Sequence, residues 1–395
     1  MNHLLSDRIN NLSTSQTLAM AALARELKAQ GKDIISLSLG EPDFNTPDFV
    51  KEAAKKAIDE NYSTYTPVDG YPELREAICR KFKRDNNLDY TPANIVVSTG
   101  AKQSLYNVAQ VMLNQGDEVI LPAPYWVSYY EIIKLSGGVP VVVETSVESD
   151  FKITPEQLEN AITPKTKMMW FSSPCNPSGS VYNREEMTAL GKVLDKYPDI
   201  FIVADEIYEH INFSGTFCSI ASIPGLFDRT VTVNGVAKAF AMTGWRIGYI
   251  GAPEFIAKAC TKIQGQVTSG ANSIAQRATI AAVDADPSVL NDMVKAFHGR
   301  RDLVVRLMRE IPGIKLNVPE GAFYVFPDVS SFFGKTLRGK TINTADDLAM
   351  YLLSEANVAT VTGEAFGNAN CLRLSYATSE DLLTEAIRRI KEALA

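Results

Sequence analysis

The chain has 395 residues, 46% hydrophobic and 22% charged, which is ample for a large core and too long for one compact sheet without an annex. The net charge of −7 comes from interleaved acids and bases, so no stretch reads as a nucleic-acid or membrane patch. Five scattered cysteines (Cys79, Cys175, Cys218, Cys260, Cys371) suit neither a disulfide frame nor a zinc site, three distant histidines (His3, His210, His298) predict no metal site, and no apolar run reaches membrane-spanning length; the expectation is a cytoplasmic protein with reduced thiols.

In chain order, apolar positions at helical spacing (Leu18, Ala21, Ala22, Leu27) predict a helix between Thr14 and Gly31. IISLSLGEPDF follows as a short strand ending at Gly40, where a tight turn and a backbone amide close to a small ligand are both open readings. A second helix is expected from Asp48 to Asn61, then an aromatic-rich loop containing Tyr65, then another helix. From Ile95 to about Gly251, β-branched runs (IVVS, EVIL, VPVVVE, MMWFSS, IFIVAD, VTVN, RIGYIG) alternate with helical stretches at Lys102–Leu113, Trp126–Leu135, Pro155–Ala161 and Arg184–Asp195. That alternation predicts βαβ units and an α/β fold with a mainly parallel, seven-stranded sheet covered on both faces. A long helical region from Ile274 to about Ile311 comes next. Beyond it are hairpin-like strands in KLNVPEGAFYVFPDV, a helix at Thr344–Glu355, strands in VATVTG and NCLRLSYA, and a last helix capped by Ser379. The division expected is a large domain of residues 48–292 and a smaller α+β domain formed by 1–47 with 293–395.

In open α/β sheets ligands sit beyond the carboxyl ends of the strands. The residues expected there are Gly100-Ala101-Lys102, Pro124-Tyr125-Trp126, Asn176-Pro177, Asp205 with Tyr208, and Lys238. Each taken singly has a plain structural explanation. Lys238, between small residues, suits a desolvated amine that attacks an aldehyde, or a buried stem with its head in a salt bridge. Arg246 is a fork-shaped cation able to hold phosphate, or a surface arginine. Asp205 ends an apolar strand, where it could pair with a protonated ring nitrogen or cap a helix starting at Glu206. Tyr208 lies about one turn on; Asn176 belongs to an Asn-Pro turn; Trp126 could stack on a flat ring or fill core. The small residues of STGAKQSL open a helix whose first N–H groups favour an anion, without a full P-loop pattern. Arg373 alternates with Leu372 and Leu374, which suits a bidentate carboxylate partner or an edge-strand arginine.

Taken together, GAK (100–102), PYW (124–126), NPSG (176–179), DEIY (205–208), KAFAMTGWRIGY (238–249) and RLSYATS (373–379) resemble the class I aminotransferases of the aspartate aminotransferase type, nearest to the bacterial aspartate and prephenate aminotransferases. The likeness runs from SLGEPDF, ending at Phe44, through RLSYATS. It implies fold type I, pyridoxal 5'-phosphate as cofactor, and amino-acid and 2-oxo-acid substrates. It implies that Lys238 binds the cofactor aldehyde and shuttles the proton, that Asp205 pairs with the ring nitrogen, and that Tyr208 and Asn176 bond the ring oxygen. Trp126 would stack on the ring; Arg246 with the Gly100 and Ala101 amides would hold the phosphate. Tyr65 would reach that phosphate from a partner subunit, making the site a property of a homodimer. Arg373 and Gly40 would hold the substrate α-carboxylate, with Trp126 and Asn176 beside it and Lys102 at the distal carboxylate. Ser13 stands where some relatives carry a basic residue, which reads against prephenate. The activity expected is transfer of the amino group from L-aspartate to 2-oxoglutarate, with prephenate or aromatic substrates, a β-lyase, and a non-catalytic ligand sensor as alternatives.

Overall fold

The computed structural model describes residues 4–395, so His3 lies outside it. After α1 (Asp7–Asn10) and α2 (Gln16–Ala29), the chain forms the two-residue strand β1 (Ile35–Ser36), then α3 (Asp48–Asp59) and α4 (Pro72–Asn86). α3 buries Val50, Ala54 and Ala57, a stripe at i, i+4 and i+7 facing the core.

The alternating region then builds the central sheet. Its strands are β2 (Ile95–Ser98), β3 (Glu118–Ala123), β4 (Val139–Glu144), β5 (Thr166–Ser172), β6 (Phe201–Asp205), β7 (Thr230–Gly235) and β8 (Gly248–Gly251), in the order β2-β8-β7-β6-β5-β3-β4. All neighbours are parallel except β8, which runs antiparallel to both β2 and β7. Between the strands lie α5 (Ala101–Met112), α6 (Val127–Leu135), α7 (Pro155–Ala161) and α8 (Arg184–Leu194). The inner strands are buried on both faces, as a parallel sheet demands. Val119, Leu121, Met168, Trp170, Val203 and Val231 pack into one layer, and Ile120, Met169, Phe171, Ile202 and Ala204 into the other. Capping boxes start α7 at Thr154/Gln157 and α8 at Asn183/Glu186, so local sequence and tertiary fold agree on where these helices begin.

Three features depart from the sequence reading. A helix at α9 (Glu254–Val267) follows β8, unannounced. The expected long helix is two, α10 (Ser273–Asp284) and α11 (Asn291–Met308), separated by a 3₁₀ turn at Pro287–Leu290. Pro287 has no N–H for a continuing helix, and Asp286 caps the turn through Ser288 N–H at 2.8 Å. The segment after α11 keeps its hairpin-like pairing only as an antiparallel bridge between Lys315 and Asp328 and the short β9 (Tyr324–Val325), while an unforeseen hairpin, β10 (Lys335–Leu337) and β11 (Lys340–Ile342), precedes α12 (Ala345–Glu355). VATVTG divides into β12 (Val358–Ala359) and β13 (Val361–Thr362), followed by β14 (Leu372–Ser375) and α13 (Glu380–Leu394). β13, β14 and β9 make an antiparallel sheet, and β1 pairs with β12, tying the N-terminal segment to the C-terminal region. Among the described residues, no helix is long and apolar enough to cross a membrane.

Candidate active site

The carboxyl edge of the sheet opens on a cavity of about 500 Å³, inside the roughly 300–1,000 Å³ range of small-molecule sites. Gly40, Gly100, Ala101, Lys102, Trp126, Asn176, Asp205, Tyr208, Lys238, Arg246 and Arg373 all line it. Ten of these eleven positions are contributed by the sheet edge and the strand β14; the eleventh, Gly40, comes from the segment after β1. Because β8 runs antiparallel, the residues before it lie at this same edge. That is how Arg246 joins residues that follow parallel strands.

Lys238 is part-buried at the end of the β7 excursion, and its Nζ donates to the Gly40 carbonyl at 2.5 Å. Burial pushes its pKa down to about 8; Glu41 and Asp205 pull it up while Arg373 and Arg246 press it down. Gly40 must lack a side chain, since a Cβ there would stand 2.5 Å from the Tyr324 hydroxyl. Asp205 is 6% exposed and ends β6. It caps no helix: residues 206–209 form a turn closed by Glu209 N–H to the Glu206 carbonyl at 3.0 Å. The carboxylate accepts from the Tyr129 hydroxyl at 2.6 Å and from Ile207 N–H at 3.2 Å. Burial raises its pKa, and those two bonds and Lys238 lower it. Among the described residues no cation forms an ion pair with it. A buried carboxylate in that position suits a protonated heterocycle entering the cavity.

Gly100 caps α5 with φ +82°, and a Cβ on it would run into Nη2 of Arg246. Arg246, itself left-handed at φ 59°, donates Nη1 to the Thr243 carbonyl at 2.8 Å and has no carboxylate partner among the described residues. A bare helix N-terminus beside an unpaired guanidinium is an anion cup. Lys102 lies 4.8 Å over the Trp126 ring, its pKa lowered by burial and by Arg246. Arg373 is 1% exposed. It donates Nη1 to Asn176 Oδ1 at 3.0 Å and Nη2 to the Ser38 carbonyl at 2.6 Å, while its Nε has no partner. Tyr208 shares a 2.7 Å hydrogen bond with Tyr324.

Tyr65 does not line this cavity; it is 95% exposed. Several lining residues carry no mark in the sequence: Tyr129, Tyr324, Ser172, Glu41, Thr243 and Arg25. Tyr129 falls one turn beyond Trp126 in a predicted helix, a spacing that puts the two on one face but does not set Tyr129 apart from a core tyrosine.

An amine with depressed pKa, an unpaired buried carboxylate and an anion cup on one cavity fit a phosphorylated, heteroaromatic aldehyde, and pyridoxal 5'-phosphate combines these groups. Residues 32–390 match the family described as aminotransferase class I and II. The chain is 51% identical over 390 residues to the aspartate/prephenate aminotransferase of Cereibacter sphaeroides, covering 98% of each chain. It is 48% identical over 389 residues to the aspartate aminotransferase of Bacillus subtilis, again covering 98% of each. Among solved structures, the aspartate aminotransferase of Rhizobium meliloti superposes with a TM-score of 0.95 at 45% identity, over 99% of this chain and 98% of that one. The Thermus thermophilus aspartate aminotransferase with maleate gives 0.93 at 42%, over 98% and 99%. The chain therefore belongs to the class I and II aminotransferases, enzymes that depend on pyridoxal 5'-phosphate.

Proposed function

We propose that this enzyme moves the amino group of L-aspartate to 2-oxoglutarate, giving oxaloacetate and L-glutamate in two half-reactions. The observation that carries the substrate choice is the presence of two cationic side chains, Lys102 and Arg373, on the cavity that holds Lys238. A dicarboxylic substrate offers one carboxylate to each. The names of the Cereibacter and Bacillus relatives support the same choice.

The bound cofactor supplies a carbon that accepts the amino group and a protonated ring that takes up the electron pair left at the substrate Cα. Lys238 would hold that cofactor through Nζ. Favoured as a neutral amine by burial, the same Nζ would take the substrate Cα proton and hand it back. Asp205 would keep the ring nitrogen protonated, and Asn176 and Tyr208 would bond the ring oxygen. Trp126 would cover a ring face; Arg246 with the amides of Gly100 and Ala101 would hold the phosphate. Arg373, with Asn176 and Gly40 beside it, holds the α-carboxylate through its unpartnered Nε edge.

Homodimeric sites are part of the proposal. The loop bearing Tyr65 is pinned at its base: Gln276 accepts from Tyr71 N–H at 2.8 Å, Ser273 Oγ donates to the Tyr62 carbonyl at 2.5 Å, and Gln264 donates to the Val68 carbonyl at 2.6 Å. A firmly held loop that presents a bare tyrosine supports delivery of that hydroxyl to another subunit's phosphate. The division into residues 48–292 and 1–47 with 293–395 is supported by the β1–β12 pair and by Arg389–Asp33 at 2.5 Å. Five free cysteines support a reducing cytoplasm.

Prephenate is the second reading. It is supported by the Cereibacter relative's name and by an adjoining cavity of about 710 Å³ that shares Ser15, Lys102, Val127 and Ser128 with the first. Ser13 brings no cation there, which ranks it second.

Lys102→Ala tests the substrate choice. Loss of one charged hydrogen bond should lower kcat/KM for aspartate by roughly tenfold or more and leave phenylalanine nearly untouched. Equal losses on both amino acids would remove Lys102 from the distal carboxylate.

A further inference from the structure

One buried side chain lining the cavity, Tyr129, meets the carboxylate of Asp205. Tyr129 is 1% exposed on the first turn of α6, one turn beyond Trp126. Its ring is held edge-on between two indoles, Trp126 at 5.5 Å and 81° and Trp170 at 5.8 Å and 86°. Trp126 is the helix cap and Trp170 belongs to β5, so the phenol is fixed from two elements. Its hydroxyl ends 2.6 Å from Asp205 Oδ2. That is the one side-chain hydrogen bond to Asp205 among the described residues; the other bond comes from the backbone at Ile207.

The direction of the proton in this bond follows from burial. The Tyr129 pKa is raised well above its ordinary value, by burial first and then by the Asp205 charge, so the phenol keeps its proton and donates. A carboxylate has about four acceptor directions. Tyr129 and Ile207 N–H use two of them, leaving the rest for a donor entering the cavity. The other ionisable groups near Asp205 are Lys238 across the cavity, Glu206 and Tyr208 on its own turn, and Cys175 beside Tyr129. Of these, Lys238 alone favours the ionised carboxylate, and it acts by charge across the cavity. Tyr129 is the one side chain that favours the charge by a direct hydrogen bond, ahead of Lys238.

We propose that Tyr129 is a positioning residue of the cofactor site, acting through Asp205 to keep that carboxylate ionised and aimed at the cofactor's ring nitrogen. The inference rests on the assignment of Asp205 to that nitrogen. It also gives α6 a double role: Trp126 would meet the ring face, and Tyr129, edge-on to that indole, would set the charge at the ring edge.

The test uses three purified holoenzymes, Tyr129→Phe, Asp205→Asn and the double variant, compared with the wild type. Tyr129→Phe removes only the hydroxyl and keeps both indole contacts, so it should fold. The readouts are the pH titration of the bound cofactor's visible absorbance and the retention of cofactor on dilution. Tyr129→Phe should move the titration midpoint by about one pH unit. It should weaken retention by roughly tenfold, the loss of one hydrogen bond to a charged group. kcat should fall more than KM rises. In the Asp205→Asn background, the same change should add nothing, because its only path of action is gone. A Tyr129→Phe titration superimposable on the wild type would overturn the proposal. So would an undiminished Tyr129→Phe effect in the double variant. If Asp205→Asn alone leaves absorbance and retention unchanged, the assignment of Asp205 fails and Tyr129 fails with it. If Asp205→Asn changes both and Tyr129→Phe changes neither, the failure is confined to Tyr129.

Discussion

Enclosure would give Lys238 the reactivity proposed for it. Its Nζ is anchored on the Gly40 carbonyl at 2.5 Å, and desolvation brings its pKa down to about 8. Below that value Nζ carries a proton and cannot attack an aldehyde. The rate at which apoprotein takes up pyridoxal 5'-phosphate should therefore climb by about tenfold per unit below pH 8 and level off above it. Stopped-flow absorbance would follow this, and a rate independent of pH through that range would contradict the enclosed-amine account. At this scale, the sequence shows residues that are costly where they stand. A lysine among alanines, an aspartate closing an apolar strand and an arginine between leucines each invite a chemical explanation. Tyr129 and Tyr324 invite none, because a tyrosine near a strand end looks the same whether it fills core or carries a hydrogen bond in a site.

Two elements hold the turn 205–210 that presents Asp205 and Tyr208. β6 delivers it, and α4 anchors it from behind through a buried ion cluster. Lys81 on α4 pairs with Glu209, which also accepts from Asn86 at 2.7 Å, and His210 lies 3.3 Å from the same carboxylate. Burial alone would raise the Glu209 pKa; Lys81 and then His210 override it and bring it to about 2. Lys81→Met would leave Glu209 buried without its cation, a loss of about 3–5 kcal/mol. Urea unfolding of the apoprotein would measure it. The stabilisation that Glu209 provides is present above the ordinary carboxylate value near 4.5 and fades as pH falls towards 2. The variant should therefore lose its disadvantage in acid. A Lys81→Met protein as stable as the wild type at neutral pH would mean that the cluster contributes no stability. Elements also differ in how openly the sequence declares them. The seven sheet strands and the capped helices α7, α8, α12 and α13 carry both pattern and punctuation. α9 hides because its buried face is Ile256, Ala257, Cys260 and Gln264, too small and too polar to make a stripe. The β10–β11 hairpin hides because its residues are mostly exposed; its clue is the Arg338-Gly339 turn, with φ of +47° and +81°.

At the scale of the whole molecule, one chain provides every proposed site residue except the hydroxyl of Tyr65, which stands 95% exposed on its pinned loop. Complementation would decide whether that residue serves a neighbour. Lys238→Ala and Tyr65→Ala homodimers should each be poor catalysts. Mixed and refolded together, they should regain activity, because the hybrid contains one pocket with an intact lysine and the other chain's intact tyrosine. No recovery in a mixture shown to contain hybrids would place Tyr65 outside the site. The fold class and the rim of strand ends could be read from the alternation of strands and helices. The proposed approach of a second copy could not, because periodicity describes how a chain buries its own surface and is silent on what covers an exposed loop.

The reversed strand β8 has a consequence for the anion cup. Its insertion between β2 and β7 is what sets Arg246 against Gly100, two residues that begin far apart along the polypeptide. The proposed phosphate seat is therefore split between two strands that share no connection, and only their antiparallel pairing, Ser98 opposite Gly248, brings its halves together.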